Sequence, residues 1–90
     1  MMDALYPLMI VTPKQVILEE TVRSLVAPGE IGSLGVLAHH APLMTTLSAG
    51  RLSIVLASGE TKIFQIAPGF LDVSRERVTL LTPSADEQGH

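Results

Sequence analysis

The run Arg51-Leu52-Ser53-Ile54-Val55-Leu56-Ala57-Ser58-Gly59-Glu60-Thr61-Lys62-Ile63-Phe64-Gln65-Ile66 decides the fold class. Leu52, Ile54 and Leu56 share one side of an extended chain and Arg51, Ser53 and Val55 the other, the period-two alternation of a half-buried strand. Ser58-Gly59 supplies a tight turn. The return segment sets Phe64 and Ile66 on one face and Thr61, Ile63 and Gln65 on the other, so the run predicts a β-hairpin.

Outward from that hairpin the same grammar repeats. Pro68-Gly69 ends the second strand, and Phe70 to Val73 and Arg77 to Leu81 form a further pair across Ser74-Arg75-Glu76. Leu71, Val73, Val78 and Leu80 face inward in that reading. Thr82 to His90 is polar, with Pro83 and Gly89, and reads as a frayed tail; the expected division is a β domain over residues 1–82 and a tail over 83–90. Upstream, Leu43 to Leu47 is a short strand closed by Ser48-Ala49-Gly50. Leu8 to Val11 and Gln15 to Leu18 read as a hairpin, and Thr21 to Ala27 as a separate strand after the acidic pair Glu19-Glu20, stopped by Pro28-Gly29. Turn signals every 8–12 residues or so in the second half indicate a sandwich or barrel. No apolar stripe keeps a 3.6-residue period over three turns. The chain reads as all-β.

Composition narrows the class further. A chain of 90 residues makes one domain, burying roughly 60–65% of its unfolded surface. Apolar residues reach 47% while aromatics stop at 3%, so the core has to be built from interlocking Val, Ile, Leu and Met. The absence of cysteine excludes disulfides and thiolate zinc sites. A net charge of −3, with six basic residues placed singly, argues against nucleic acid as a partner. Ile31 to Gly50 is the longest uncharged stretch, but two histidines, a proline and several glycine or serine breaks exclude a membrane helix. Asp3 after two methionines and an early Pro7 give no secretory signal, and the expected compartment is cytosolic.

The least strand-like segment is Gly32-Ser33-Leu34-Gly35-Val36-Leu37-Ala38-His39-His40-Ala41-Pro42-Leu43. Two glycines three residues apart predict a tight, exposed loop rather than a strand interior. Pro42 forces His40 and Ala41 toward extended geometry. His39-His40 is the one candidate for chemistry, yet adjacent side chains in an extended chain point to opposite faces and no third ligand is nearby. The plainer reading is one histidine hydrogen-bonded at a strand edge and the other exposed. Glu19, Glu20, Asp72 and Glu76 read as solvated charges, and Gly32 to Gly35 lacks the Lys-Ser/Thr of a phosphate loop. What remains is adhesive: Ile31, Leu34, Val36 and Leu37 beside an exposed loop indicate a protein contact, unless Val36 and Leu37 tuck underneath as core.

The order of these motifs resembles the N-terminal β-sandwich domain of the ε subunit of F-type ATP synthases, the counterpart of mitochondrial δ. The resemblance rests on Val11-Thr12, Gly32-Ser33-Leu34-Gly35-Val36, His40-Ala41-Pro42-Leu43, Ala49-Gly50-Arg51-Leu52, Pro68-Gly69-Phe70-Leu71-Asp72-Val73 and Val78-Thr79-Leu80-Leu81, without a large insertion between them. It implies a flattened antiparallel β-sandwich of two sheets. It also implies a non-catalytic rotor subunit without cofactor or small-molecule substrate, which binds the γ subunit and the c-ring and helps couple ion flow to ATP synthesis. The implied ring-facing residues are Ile31, Gly32, Ser33, Leu34 and Gly35; the implied γ-facing residues are Thr12, His40, Ala41, Pro42, Leu43, Met44 and Thr45. The implied location is peripheral, on the cytoplasmic face of the bacterial inner membrane. Many members carry an acid where this chain has Ser33, with Glu30 as the nearest substitute. The family commonly continues into a helical hairpin that inhibits ATP hydrolysis. With only a short polar tail after Leu81, the expectation is a subunit that couples but neither inhibits through that hairpin nor binds nucleotide. A free-standing β-sandwich adaptor with another partner is the alternative, and a small metal-dependent enzyme ranks behind both.

Overall fold

One strand is too long for the molecule to hold it straight. Val16–Gly29 has 14 residues, about 43 Å if straight at ~3.3 Å per residue, whereas the principal dimensions are 36 × 30 × 24 Å. The strand therefore bends, and its register against a neighbouring strand slips between Val22 and Ser24, leaving Arg23 as the extra residue of a bulge. In this computed structural model, which describes residues 4–89, that bent strand organises the fold.

In chain order the strands are β1 (Tyr6–Val11), β2 (Val16–Gly29), β3 (Gly32–Leu37), β4 (Leu43–Leu47), β5 (Gly50–Leu56), β6 (Thr61–Ile66), β7 (Gly69–Val73), β8 (Val78–Leu81) and β9 (Ala85–Glu87). The first half of β2 pairs with β1, and that layer continues through β8 and β7 to β4. Its second half pairs with β3 and β5, and that layer continues through β6 to β9. β4 returns to β2 at Gly29↔Leu47, so the layers are joined twice. Between them lies the aliphatic core that the composition called for: Leu52, Ile54, Leu56 and Ile66 with the buried ring of Phe64 from one layer, and Leu8, Ile10, Leu71, Val73, Val78 and Leu80 with the ring of Tyr6 from the other. Apart from Leu8, Ile10 and Tyr6 of β1, these are the inward positions of the period-two reading.

The structure departs from the sequence reading in four places. The two strands expected around Glu19-Glu20 are one, because both carboxylates reach solvent, one from each face of β2, while their backbones pair with Met9 and Leu8; exposed charges do not interrupt a ladder. The segment expected as a loop, from Gly32, is strand β3, paired with β2 at every position from Gly29↔Gly32 to Ser24↔Leu37. The pairing is not antiparallel throughout: β1 and β8 run parallel, Leu8↔Val78 to Val11↔Leu81. Parallel neighbours need a long connection, here supplied by the rest of the domain, and motif-by-motif reading registers only adjacent hairpins. Finally, the expected tail carries β9, which adds to the β6 edge with Ala85 buried opposite Ile66. Thr82 leads into it, its hydroxyl donating to the Ala67 carbonyl at 2.8 Å.

Candidate functional site

The residues expected to face a ring form the tip and one arm of the β2–β3 hairpin. Gly29 and Gly32 pair across the turn. A Cβ on Gly29 would lie 2.6 Å from the Gly32 carbonyl oxygen, and Gly32 has φ +134°, so the closure requires glycine at both positions. Ile31 projects from the tip fully exposed, at 105% of its reference area. Ser33 and Gly35 are exposed along the arm, while Leu34 is half-buried against the core. Val36 is buried and belongs to the core, and Leu37 is exposed; the adhesive set of the sequence reading thus reduces to Ile31 and Leu37, with Leu34 shared. Glu30, beside Ile31, accepts a hydrogen bond from the Thr46 hydroxyl, tying the tip to β4.

The residues expected to face γ do not form one patch. Thr12 caps the β1–β2 turn, its backbone N–H donating to the Gln15 carbonyl at 2.9 Å and its hydroxyl contacting the same oxygen. His40, Ala41 and Pro42 are exposed in the β3–β4 connection. There His39 takes φ 67°, and the His40 imidazole bonds through Nδ1 to the Ala41 carbonyl at 2.8 Å. The register puts the two groups at opposite ends of one layer. Leu43 is level with Val73 and Val78, whereas Thr12 follows Val11, which is level with Leu81 and Phe70. Leu43 and Thr45 are half-buried, with Leu43 packed on the core, and Met44 alone of the β4 set is fully outward.

Across the Thr12 end of this layer runs a feature that the sequence reading did not single out. Val16, Val11, Leu81 and Phe70 are successive cross-strand partners over β2, β1, β8 and β7, all on the outer face. Phe70 is 51% exposed, Leu81 43% and Val16 52%, with Met44 at 69% on the same face. Next to Thr12 the row opens into a shallow apolar groove lined by Val11, Pro68, Phe70, Leu81 and Pro83. The signal was present in the alternation: once Leu71, Val73 and Leu80 are inward, Phe70 and Leu81 must face out.

Gly69 keeps this face flat. A Cβ there would fall on the Leu81 carbonyl oxygen and lie 3.0 Å from the Thr82 Cα, so glycine lets β7 and β8 close at this end. Among the described residues no three of His, Cys, Asp and Glu gather at metal-binding distance, and no helix is long and apolar enough to cross a membrane. The geometry is that of a rigid scaffold with exposed apolar contacts at its tip and on one sheet face.

Comparison with known proteins gives these surfaces a context. The family model described as the β-sandwich domain of the ATP synthase delta/epsilon chain matches residues 6–88. The chain is 41% identical over 76 residues to the ATP synthase epsilon chain of Agrobacterium fabrum, covering 84% of this chain and 56% of that one. It is 42% identical over 77 residues to that of Koribacter versatilis, covering 86% and 54%. It spans about half the length of the curated relatives it matches. A chain in the cryo-EM structure of the Euglena gracilis mitochondrial ATP synthase OSCP/F1/c-ring superposes with a TM-score of 0.88 at 27% identity, covering 93% of this chain and 54% of that one. One in the Tetrahymena thermophila mitochondrial ATP synthase central stalk and c-ring gives 0.75 at 17% identity, covering 89% and 64%, a likeness of fold. From the opening strand through the edge strand β9, the chain belongs to the family of ATP synthase delta/epsilon chain β-sandwich domains.

Proposed function

We propose that this chain is the stalk module of an F-type ATP synthase, a non-catalytic rotor subunit that binds γ and the c-ring and helps couple ion flow to ATP synthesis. The observation that carries the reading is the family match over residues 6–88, supported by the likeness to a chain in an F1 and c-ring assembly. In this reading Ile31, Gly32, Ser33, Leu34 and Gly35 approach the ring, with Ile31 as the contact and the glycines as the hinge-free closure. Thr12, His40, Ala41, Pro42, Leu43, Met44 and Thr45 approach γ. Met44 makes direct contact, while Leu43 and Thr45 act from beneath by fixing β4. Phe70 and Leu81 extend that face toward Thr12, giving a broad apolar surface on a rigid sheet, which resists sideways load better than a loop does. Through the complex the chain sits peripherally at the cytoplasmic face of a bacterial inner membrane.

Co-purification with γ and with c-ring from the same source tests this. Met44→Asp and Phe70→Asp are expected to lose γ and retain the ring contact, and Ile31→Asp to weaken the ring contact and retain γ. A folded wild-type chain that captures neither partner overturns the assignment.

A further inference from the structure

At the end of the sheet opposite Thr12, the β3–β4 connection and the β7–β8 turn face one another across a cleft of about 590 Å³. Its lining includes His39 and His40 from the first segment and Arg75, Glu76 and Arg77 from the second, over a floor that includes Tyr6. The charge distribution is unusual for this molecule. The chain is acidic, at −3, and has six lysines and arginines in all, yet two arginines and two histidines converge here with one carboxylate. Neither arginine side chain is in an ion pair among the described residues, where the resolved surface pair is Lys62 with Glu87 at 3.5 Å. Unpaired guanidinium groups are strong, directional donors toward oxyanions, which they bind in a bidentate fork.

Both walls are held in place. The Ser74 N–H and hydroxyl donate to the Arg77 carbonyl, each at 2.9 Å, and the Arg77 N–H reaches back to the Ser74 hydroxyl at 3.3 Å. That clamp fixes the turn bearing Arg75 and Glu76. Opposite, the His40 N–H donates to the Leu37 carbonyl at 3.2 Å and its ring is fixed by the Ala41 carbonyl. The clamps fix the backbone that carries the binding groups, so less loop ordering is needed on binding. The floor is apolar: Val73 and Val78 are buried beneath it, and the Tyr6 hydroxyl is already engaged with the Val36 carbonyl.

We infer that this cleft is a binding site for phosphate-class oxyanions, with Arg75 and Arg77 as the primary donors and His39 and His40 completing the opposite wall. Glu76 is a built-in opponent that sets the affinity low. The cleft shares His40, Ala41 and Pro42 with the surface proposed to approach γ, but its charges and clamps are properties of this chain alone and are tested on the chain without γ.

The test uses the full chain, with inorganic phosphate and pyrophosphate as probes, followed by calorimetry and by backbone amide NMR shifts. Saturable shifts are expected at residues 39–41 and 74–77, larger for pyrophosphate and reduced by added chloride. Arg75→Gln combined with Arg77→Gln is expected to weaken binding about tenfold or more, the loss of two charge-assisted contacts. Glu76→Gln is expected to tighten it, a gain that misfolding cannot mimic. Lys14→Gln, at the far end of the sheet, is expected to change nothing. Shifts spread over the whole surface, equal loss in Lys14→Gln, or unchanged affinity in the double arginine variant overturns the proposal.

Discussion

The Tyr6 hydroxyl donates to the Val36 carbonyl oxygen at 2.7 Å, joining residues 30 apart in sequence. The bond pins the start of β1 to β3, the arm that carries the hairpin tip. Burial pushes the Tyr6 hydroxyl up from the usual 10.0 to about 12, because the ionised form loses water and gains nothing in return.

Tyr6→Phe removes the donor and leaves a buried carbonyl unpaired, so a loss of about 1–3 kcal/mol is expected in denaturant unfolding. The pH dependence has a definite sign. The folded state holds the proton more tightly than the unfolded chain, so this contribution is fully present below pH ~10 and falls away as pH rises toward about 12. Tyr6 is the single tyrosine and tryptophan is absent, so tyrosinate absorbance reports this group alone. Titration near the unperturbed value in the folded protein contradicts the assignment.

Gly69 and Gly35 are expected to respond differently to alanine. At Gly69 the new methyl collides with the Leu81 carbonyl, whereas at Gly35 the nearest atom is the Leu25 carbonyl oxygen at 4.0 Å. Gly69→Ala should cost about 1–3 kcal/mol, and Gly35→Ala should stay within about 0.5 kcal/mol of wild type. Equal melting temperatures for the two variants count against the close approach of β7 and β8.

Leu43 and Met44 are neighbours with different jobs. Leu43→Asp places a carboxylate against the core and is expected to cost about 2 kcal/mol or more, while Met44→Asp stays within about 0.5 kcal/mol. Loss of partner binding in Leu43→Asp is therefore uninformative unless the fold is checked, and Met44→Asp is the interface probe. Thermal melts of both variants measure the difference directly.

Thr46→Val deletes the hydroxyl that holds Glu30. An exposed bond of this kind contributes about 0.5–1.5 kcal/mol at most, so global stability should barely move. Amide exchange at residues 29–32 should instead accelerate, since that bond joins the tip to β4. Unchanged exchange means that the turn glycines alone hold the tip.

The fold was legible wherever one face of a strand is buried and the other wet. Leu43–Leu47 and Thr61–Ile66 have the bounds read from sequence, and β5, β7 and β8 differ by one residue at an end. Reading failed where long-range pairing overrides local chemistry. Gly32 and Gly35 signal a loop, but six consecutive partners on β2 make that segment a strand. Glu19-Glu20 signal a break, but in β2 both side chains reach solvent, from opposite faces, and their backbones stay in the ladder. Asp86 and Glu87 give no apolar pattern, and only Ala85 turns inward. Of the candidate site, exposure at Ile31, His40 and Met44 was foreseeable from turn position and alternation. The separation of Thr12 from His40 was not, because it depends on the parallel β1–β8 register.

The bent strand β2 also has a mechanical meaning. It runs unbroken from the β1 ladder to the turn that presents Ile31, so a pull at the tip travels along peptide bonds rather than across an interface. The hydrogen bonds to β1 and β5 lie across the strand direction; such a pull loads them side by side, in shear, and they must yield together instead of opening one after another like a zip. A domain threaded in this way is stiff along the line joining its tip to its sheet, whatever is attached at either end.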